Sequence, residues 1–327
     1  MIKILKIAFF ISILLSLGIF IAHTDLHQIW ISIGLMGWHF LWLLLLTFLA
    51  YAIGTIGWYY CLGEQKKCVP LGKLFVIRLV SESVSLFNPT SIIGGDFLKI
   101  LLLKPTGANE KTIVSSVLIS RGLMMLSQPF LFSIATIIIY FSTTDPHIKQ
   151  ILRTVMIAIL GISLGIVVLI VFLMKMRRKI HIPKNPPFLS KLAEQLKLLI
   201  GHLQLAYEQD KKNLVLAFLH FSLHWFIGAM EFYLILYFLH SPISIVQSVF
   251  MDMGVIFFKS AGAFIPAQLG VEEYGNKVML SMIGIASPAI WLSVSILRRA
   301  RQLCWIAFGA LCYLCVFRKF AQLQSAV

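Results

Sequence analysis

The chain has 327 residues, 59% of them hydrophobic, with 28 Lys and Arg against 13 Asp and Glu and a formal charge of +15. A mean hydropathy of +0.90 excludes a soluble domain of this size and predicts an integral membrane protein. The charge alone would suit nucleic acid, but the basic residues fall where a membrane protein puts them, and no nucleic-acid partner is expected.

Residues 4–22 are apolar behind Lys3 and Lys6. Ile21-Ala22-His23 makes a poor signal-peptide cleavage site, so this stretch is predicted to be a first spanning helix. Residues 36–62 form a second span, and Glu64 to Lys73 a polar, basic connection. Segments 72–87 and 92–104 are each too short for a hydrocarbon core that needs about 20 residues. Between them lies FNPTSIIGGDFLK, residues 87–99, where Pro89 forbids a continuous helix and Gly94-Gly95 permits close backbone approach. Broken backbone at membrane depth is tolerated only in protein or along a cavity, so 72–104 reads as a re-entrant hairpin.

Residues 112–142 are a third span, Asp145–Lys149 a turn, and 150–174 a fourth span. The basic stretch 175–187, KMRRKIHIPKNPP, is cytoplasmic by the positive-inside rule. Residues 188–210 space Leu189, Leu192, Leu196, Leu199 and Leu203 as one face of an amphipathic helix lying on the cytoplasmic surface. A fifth span covers 213–239, a second hairpin 246–264 and 272–285, and a sixth span 288–317.

The two hairpins form a repeat. A shift of 177 positions puts Phe87 on Phe264, Pro89 on Pro266, Asp96 on Glu273 and Arg121 on Arg298. Six full spans place both termini on one side, and the Lys/Arg asymmetry makes that side cytoplasmic. The first hairpin then enters from the cytoplasm and the second from outside. The expected fold is an all-α polytopic membrane protein, one domain over 1–327, with inverted-repeat units at about 72–142 and 246–317.

Arg121 and Arg298 each lie about ten residues into their spans, near the bilayer midplane, where charges mark a pathway unless they are paired. The second arm of each hairpin begins at similar depth with free backbone N–H groups. Together these would hold an anion such as phosphate. The candidate substrate-binding residues are Thr90, Ser91, Gly94, Gly95, Asp96, Lys99 and Arg121 in the first unit, and Gly270, Glu272, Glu273, Arg298 and Arg301 in the second. Arg298 is favoured over Arg121 because Arg301 shares its face one turn on, and Arg299 thickens the cluster. A static alternative pairs Asp96 with Arg121 and Glu273 with Arg298. Pro89 and Pro266 are hairpin-forming, and Glu82 and Lys259, which align in the repeat, would pair with each other structurally.

His220, His224 and Glu231 have a spacing that could hold a metal, but no third strong ligand accompanies them, and core histidines are the expectation. No metal or cofactor is predicted. The five cysteines, including Cys312 and Cys315, sit in apolar surroundings and are assigned to packing. No nucleophile elbow, P-loop or HExxH motif is present, so no positive case for catalysis arises.

Pro89…Gly94-Gly95-Asp96…Arg121, repeated as Pro266…Gly270…Glu273…Arg298, resembles the membrane region of the lysylphosphatidylglycerol synthase family, the flippase-like domain. The similarity covers most of 1–320 and is sharpest at the two Pro/acid/Arg blocks; the second has Gly270-Val271 where the first has paired glycines. The resemblance implies movement of phospholipids or related lipids between leaflets. In the full-length synthases a soluble aminoacyl-transferase domain follows; this sequence ends at Val327, so no synthase activity is expected. The functional expectation is therefore a cytoplasmic-membrane translocase for an anionic phospholipid or lipid-linked molecule. The alternatives are a headgroup enzyme with Glu272, Glu273 or Asp96 as general base, or an anchoring or regulatory subunit partnered with a lipid-synthesis enzyme.

Overall fold

The structure, a computed structural model, describes residues 34, 36–87, 91–159, 161, 210–262, 265, 268 and 270–324. Among these residues every regular element is a helix. The main helices are α1 (Phe40–Cys61), α2 (Leu71–Phe87), α3 (Ser91–Leu103), α4 (Glu110–Ser142), α5 (Lys211–Phe238), α6 (Ile245–Ala261), α7 (Val271–Met282) and α8 (Pro288–Gln324). Residues 146–159 are also helical. The predicted first span (4–22), the basic loop 175–187 and the amphipathic segment up to residue 209 lie outside the described residues, as do the later part of the predicted fourth span and Pro89, Thr90 and Pro266.

Helix starts follow local chemistry. The Asn109 side chain accepts from the Lys111 N–H at 2.9 Å to open α4, and Asp210 accepts from the Asn213 N–H at 3.2 Å to open α5. Ser244 and Gln247 form a reciprocal capping box at the start of α6. Pro129 sits inside α4, where it removes one helical N–H, and its carbonyl also accepts from the Ser133 hydroxyl at 2.7 Å.

Three described helices are long and apolar enough to cross a membrane: Gly37–Cys61, Glu110–Ser142 and Lys211–Phe238. They correspond to the predicted second, third and fifth spans. The predicted sixth, 288–317, is a single helix in the structure, with Arg298, Arg299, Arg301 and Gln302 in its first half. Those side chains face carboxylates of α5, α6 and α7 rather than hydrocarbon.

Packing divides into two apolar clusters along the long helices. One contains Trp58 and Leu62 of α1, Leu74, Ile77 and Val80 of α2, Leu102 and Leu103 of α3, Ile113 and Val117 of α4, and Phe221 of α5. The other contains Phe40 and Leu43 of α1, Phe132 and Ala135 of α4, Phe232 and Leu236 of α5, with α6, α7 and the first turns of α8. Each cluster is therefore built on one short-helix pair, α2–α3 or α6–α7, and α1, α4 and α5 thread both. The open end of the first pair lies beside the end of α1 and the starts of α4 and α5. The open end of the second lies beside the opposite ends of the same helices.

Both short pairs match the predicted hairpin arms within a few residues. In α2–α3 the arms touch closely: a Cβ on Gly95 would come within 1.9 Å of the Ser85 hydroxyl and 2.8 Å of the Ser81 carbonyl. Gly95 was expected to admit a ligand; its missing side chain instead admits the neighbouring helix.

Basic residues gather at one end. Lys66 donates to Asn213 at 3.4 Å, the Asn109 N–H donates to Gln65 at 2.7 Å, and Lys104 pairs with Glu110 at 2.7 Å. These contacts bring the 63–68 turn, the end of α3 and the starts of α4 and α5 together, with Lys67, Lys111, Lys211 and Lys212 among them.

Candidate functional site

The second half of the chain centres on Arg298. Its Nη1 and Nη2 both donate to Asp252 Oδ1, at 3.0 and 2.9 Å, and its Nε donates to Glu272 Oε1 at 3.2 Å. Glu231 Oε2 lies 3.7 Å from the same Nε, and the Phe232 ring stacks under the guanidinium, 4.2 Å away. Arg299 donates to Glu273 at 2.8 Å and to the Gln268 carbonyl at 3.2 Å. Arg301 pairs with Glu231 and donates to the Thr47 hydroxyl at 3.3 Å. Lys259 reaches Glu272 at 3.1 Å, and Gln302 donates to both oxygens of Glu272. Lys259, Arg298, Arg299 and Arg301 face Glu231, Asp252, Glu272 and Glu273, so this cluster is balanced in charge.

The predicted pair Glu273–Arg298 is not formed. On α7, Glu272 and Glu273 point about 100° apart, as do Arg298 and Arg299 on α8. Glu272 faces inward with its side chain 2% exposed and takes Arg298; Glu273, 28% exposed, takes Arg299. The fork of Arg298 goes to Asp252 on α6. Glu272 is bound on both oxygens, by Arg298, Gln302 and Lys259.

The first half centres on Asp96. Arg121 pairs with Asp96 at 2.9 Å, as the repeat predicts, and Lys99 bridges Asp96 at 3.2 Å and Glu82 at 3.3 Å. Lys99 also lies 5.7 Å from the Trp58 ring. Glu82 and Lys259 do not pair with each other: each is held by a partner within its own hairpin, because the arms of a hairpin are nearer than the other repeat. Arg78 lies 4.0 Å from Glu82, and its Nη2 meets His224 Nε2 at 3.4 Å.

His224 defines its own tautomer. Its Nδ1 is 2.7 Å from the Ala50 carbonyl, which only accepts, so Nδ1 carries the proton and Nε2 accepts from Arg78. His220 bonds to the Leu216 carbonyl at 2.7 Å, and Glu231 is held by Arg298 and Arg301. The His220, His224 and Glu231 spacing thus serves core hydrogen bonds and ion pairs.

The two clusters are neighbours. Thr47 and Gly54 on α1, and Glu231 and His224 on α5, are each about two helical turns apart, or about 10 Å. Tyr51 lies between the two clusters, in ring contact with His224 on one side, at 6.3 Å, and with Trp305 of α8 on the other, at 5.5 Å, within the fields of Arg78, Glu82, Glu231 and Arg301.

Of the predicted site residues, Asp96, Lys99 and Arg121 come together in the first cluster, and Glu272, Glu273, Arg298 and Arg301 in the second. Ser91 opens α3 and Gly94 is buried in it; Gly270 precedes α7 with φ of 78°, a left-handed conformation that glycine adopts readily. The sequence reading missed Arg78 and Asp252 and took Glu231 only as a metal candidate. Their signal was present: an ionisable residue inside an apolar segment is costly and marks function or a buried partner.

These features define an α-helical integral membrane protein with a charged interior joining two short-helix pairs. The chain belongs to the lysylphosphatidylglycerol synthase TM region family, whose sequence profile matches residues 3–310. That family connects the protein with lipid handling. No curated protein and no solved structure matches the chain.

Proposed function

We propose that this protein moves an anionic phospholipid or lipid-linked molecule between the leaflets of the cytoplasmic membrane, by translocation rather than by an enzymatic reaction. In this reading α2–α3 and α6–α7 are re-entrant hairpins of an inverted repeat, entering from the cytoplasmic and outer sides, and the headgroup passes between them. The basic end of the bundle is the cytoplasmic one. The observation that carries the proposal is the pair of buried charge clusters where two oppositely opening hairpins approach each other, in a chain of a lipid-handling family.

The headgroup contact falls on Arg121 more than on Arg298. Arg298 is 5% exposed with its nitrogens turned to carboxylates, whereas Arg121 is 30% exposed. The test is translocation of a fluorescent anionic phospholipid by the purified chain in liposomes. Arg121→Ala should slow transfer at least tenfold and Arg121→Lys should restore part of it, since lysine keeps the charge without the fork. Lys67→Ala, at the exposed basic end, should leave the rate unchanged. Full-rate transfer by a folded Arg121→Ala variant would overturn the assignment.

A further inference from the structure

The two clusters are not equivalent, although the sequence repeat makes them look so. In the second, four cations face four carboxylates, and Arg298 alone contacts three of them. In the first, the carboxylates that face Arg78, Lys99 and Arg121 among the described residues are Glu82 and Asp96. His224, with Nε2 accepting from Arg78, adds no negative charge.

Arg78 is where the imbalance lies. It is 3% exposed and rests against Gly54 of α1. Its Nη2 contacts are His224 and, at 4.0 Å, the sulfur of Met124, neither of them an anion. Its Nε is buried with no hydrogen-bond partner, and the nearest carboxylate, Glu82 at 4.0 Å, is already shared with Lys99 at 3.3 Å. A buried guanidinium with so little compensation is expensive unless something else supplies the missing negative charge. The cluster also has an approach: Glu82 and Arg121 are each about a third exposed, whereas Arg298, Asp252 and Glu272 of the other cluster are closed off.

We propose that the α2–α3 cluster is a binding site for a singly charged anion, of the phosphodiester class, and that Arg78 supplies the unbalanced positive charge that holds it. The anion contacts Arg121 at the accessible lip, with the buried Lys99 next to it and Arg78 behind Glu82 as a positioning charge. The α6–α7 cluster is a neutral, closed counterpart that binds no anion. This rests on the translocation reading for the source of the anion, a lipid headgroup, but the charge argument stands without it.

The experiment uses the full chain in nanodiscs of neutral phosphatidylcholine, with total tryptophan fluorescence as the readout, Trp58 lying 5.7 Å from Lys99. Two probes are titrated separately: phosphatidylglycerol incorporated in the disc, and inorganic phosphate from solution. Arg78→Gln removes the excess charge and should weaken phosphatidylglycerol binding about tenfold or more. Glu82→Gln adds one unit in the same place and should tighten it by a similar factor. A structural role for these residues would weaken binding in both variants, or in neither, so opposite signs distinguish the two. If Arg78→Gln does not fold, Glu82→Gln alone still decides, because tightening requires the anion to sense that charge. Charge-dependent binding of inorganic phosphate, with none of phosphatidylglycerol, would support the anion site while removing the lipid reading of function. Unchanged affinities for both probes in Glu82→Gln would overturn the proposal.

Discussion

Arg298→Ala is the sharpest test of the buried network. The substitution removes both Nη bonds to Asp252 and the Nε bond to Glu272. Glu272 retains Lys259 and both bonds from Gln302, so it remains compensated. Asp252 does not: the ion pair it forms is with Arg298, and it would stay buried with its charge. Breaking a buried pair from one side costs about 3–5 kcal/mol, mostly the penalty on the partner left behind. Lost stacking on Phe232 adds about 1 kcal/mol. At a few degrees per kcal/mol, the unfolding midpoint in detergent should fall by on the order of 10 °C. Adding Asp252→Asn to Arg298→Gln should restore part of this, because neither buried charge then remains. The assay is thermal unfolding followed by circular dichroism and by loss of monodispersity. A midpoint for Arg298→Ala within about 2 °C of the parent would refute the reasoning, since the carboxylates would then have to be neutralised some other way.

Two further outcomes follow from the fold. Single cysteines at Lys67 and His240, in a background without native cysteines, should react with an impermeant maleimide from opposite faces of the membrane; labelling of both from one face would remove the opposed-hairpin arrangement. Gly95→Leu should force α2 and α3 apart, because its side chain would begin 1.9 Å from Ser85 Oγ and 2.8 Å from a backbone carbonyl that has little room to shift. A loss of several degrees in thermal stability is expected, and an unchanged midpoint would contradict the close packing of the two arms.

The short-helix pairs were legible because their signals are local. A proline, an adjacent glycine or a run too short to span fixes where an arm ends, whatever the rest of the chain does. The arms expected at 72–87 and 92–104 are found at Leu71–Phe87 and Ser91–Leu103. Asp96 with Arg121 was legible for a related reason, as the repeat aligned both residues. The partners of Arg298 were not. Which of two adjacent carboxylates meets which of two adjacent arginines depends on a helix rotation that the sequence does not display. Asp252 is invisible in the repeat because its counterpart in the first half is Phe75. The stretch expected as the sixth span, 288–317, is one helix, and what the sequence does not display is that its arginines meet protein carboxylates, a fact of tertiary packing alone.

The reach of α8 has a mechanical consequence. At one level its arginines are fastened to α7 through Glu272 and Glu273 and to α6 through Asp252. Eleven residues on, about 16 Å along the axis, Gly309 lies so close to α2 that a Cβ there would sit 2.1 Å from the Ser83 hydroxyl. One continuous helix thus acts as a tie rod between the two hairpins, ionic at one end and fitted by shape at the other. A displacement of α7 would therefore be delivered to α2 as a push or a twist.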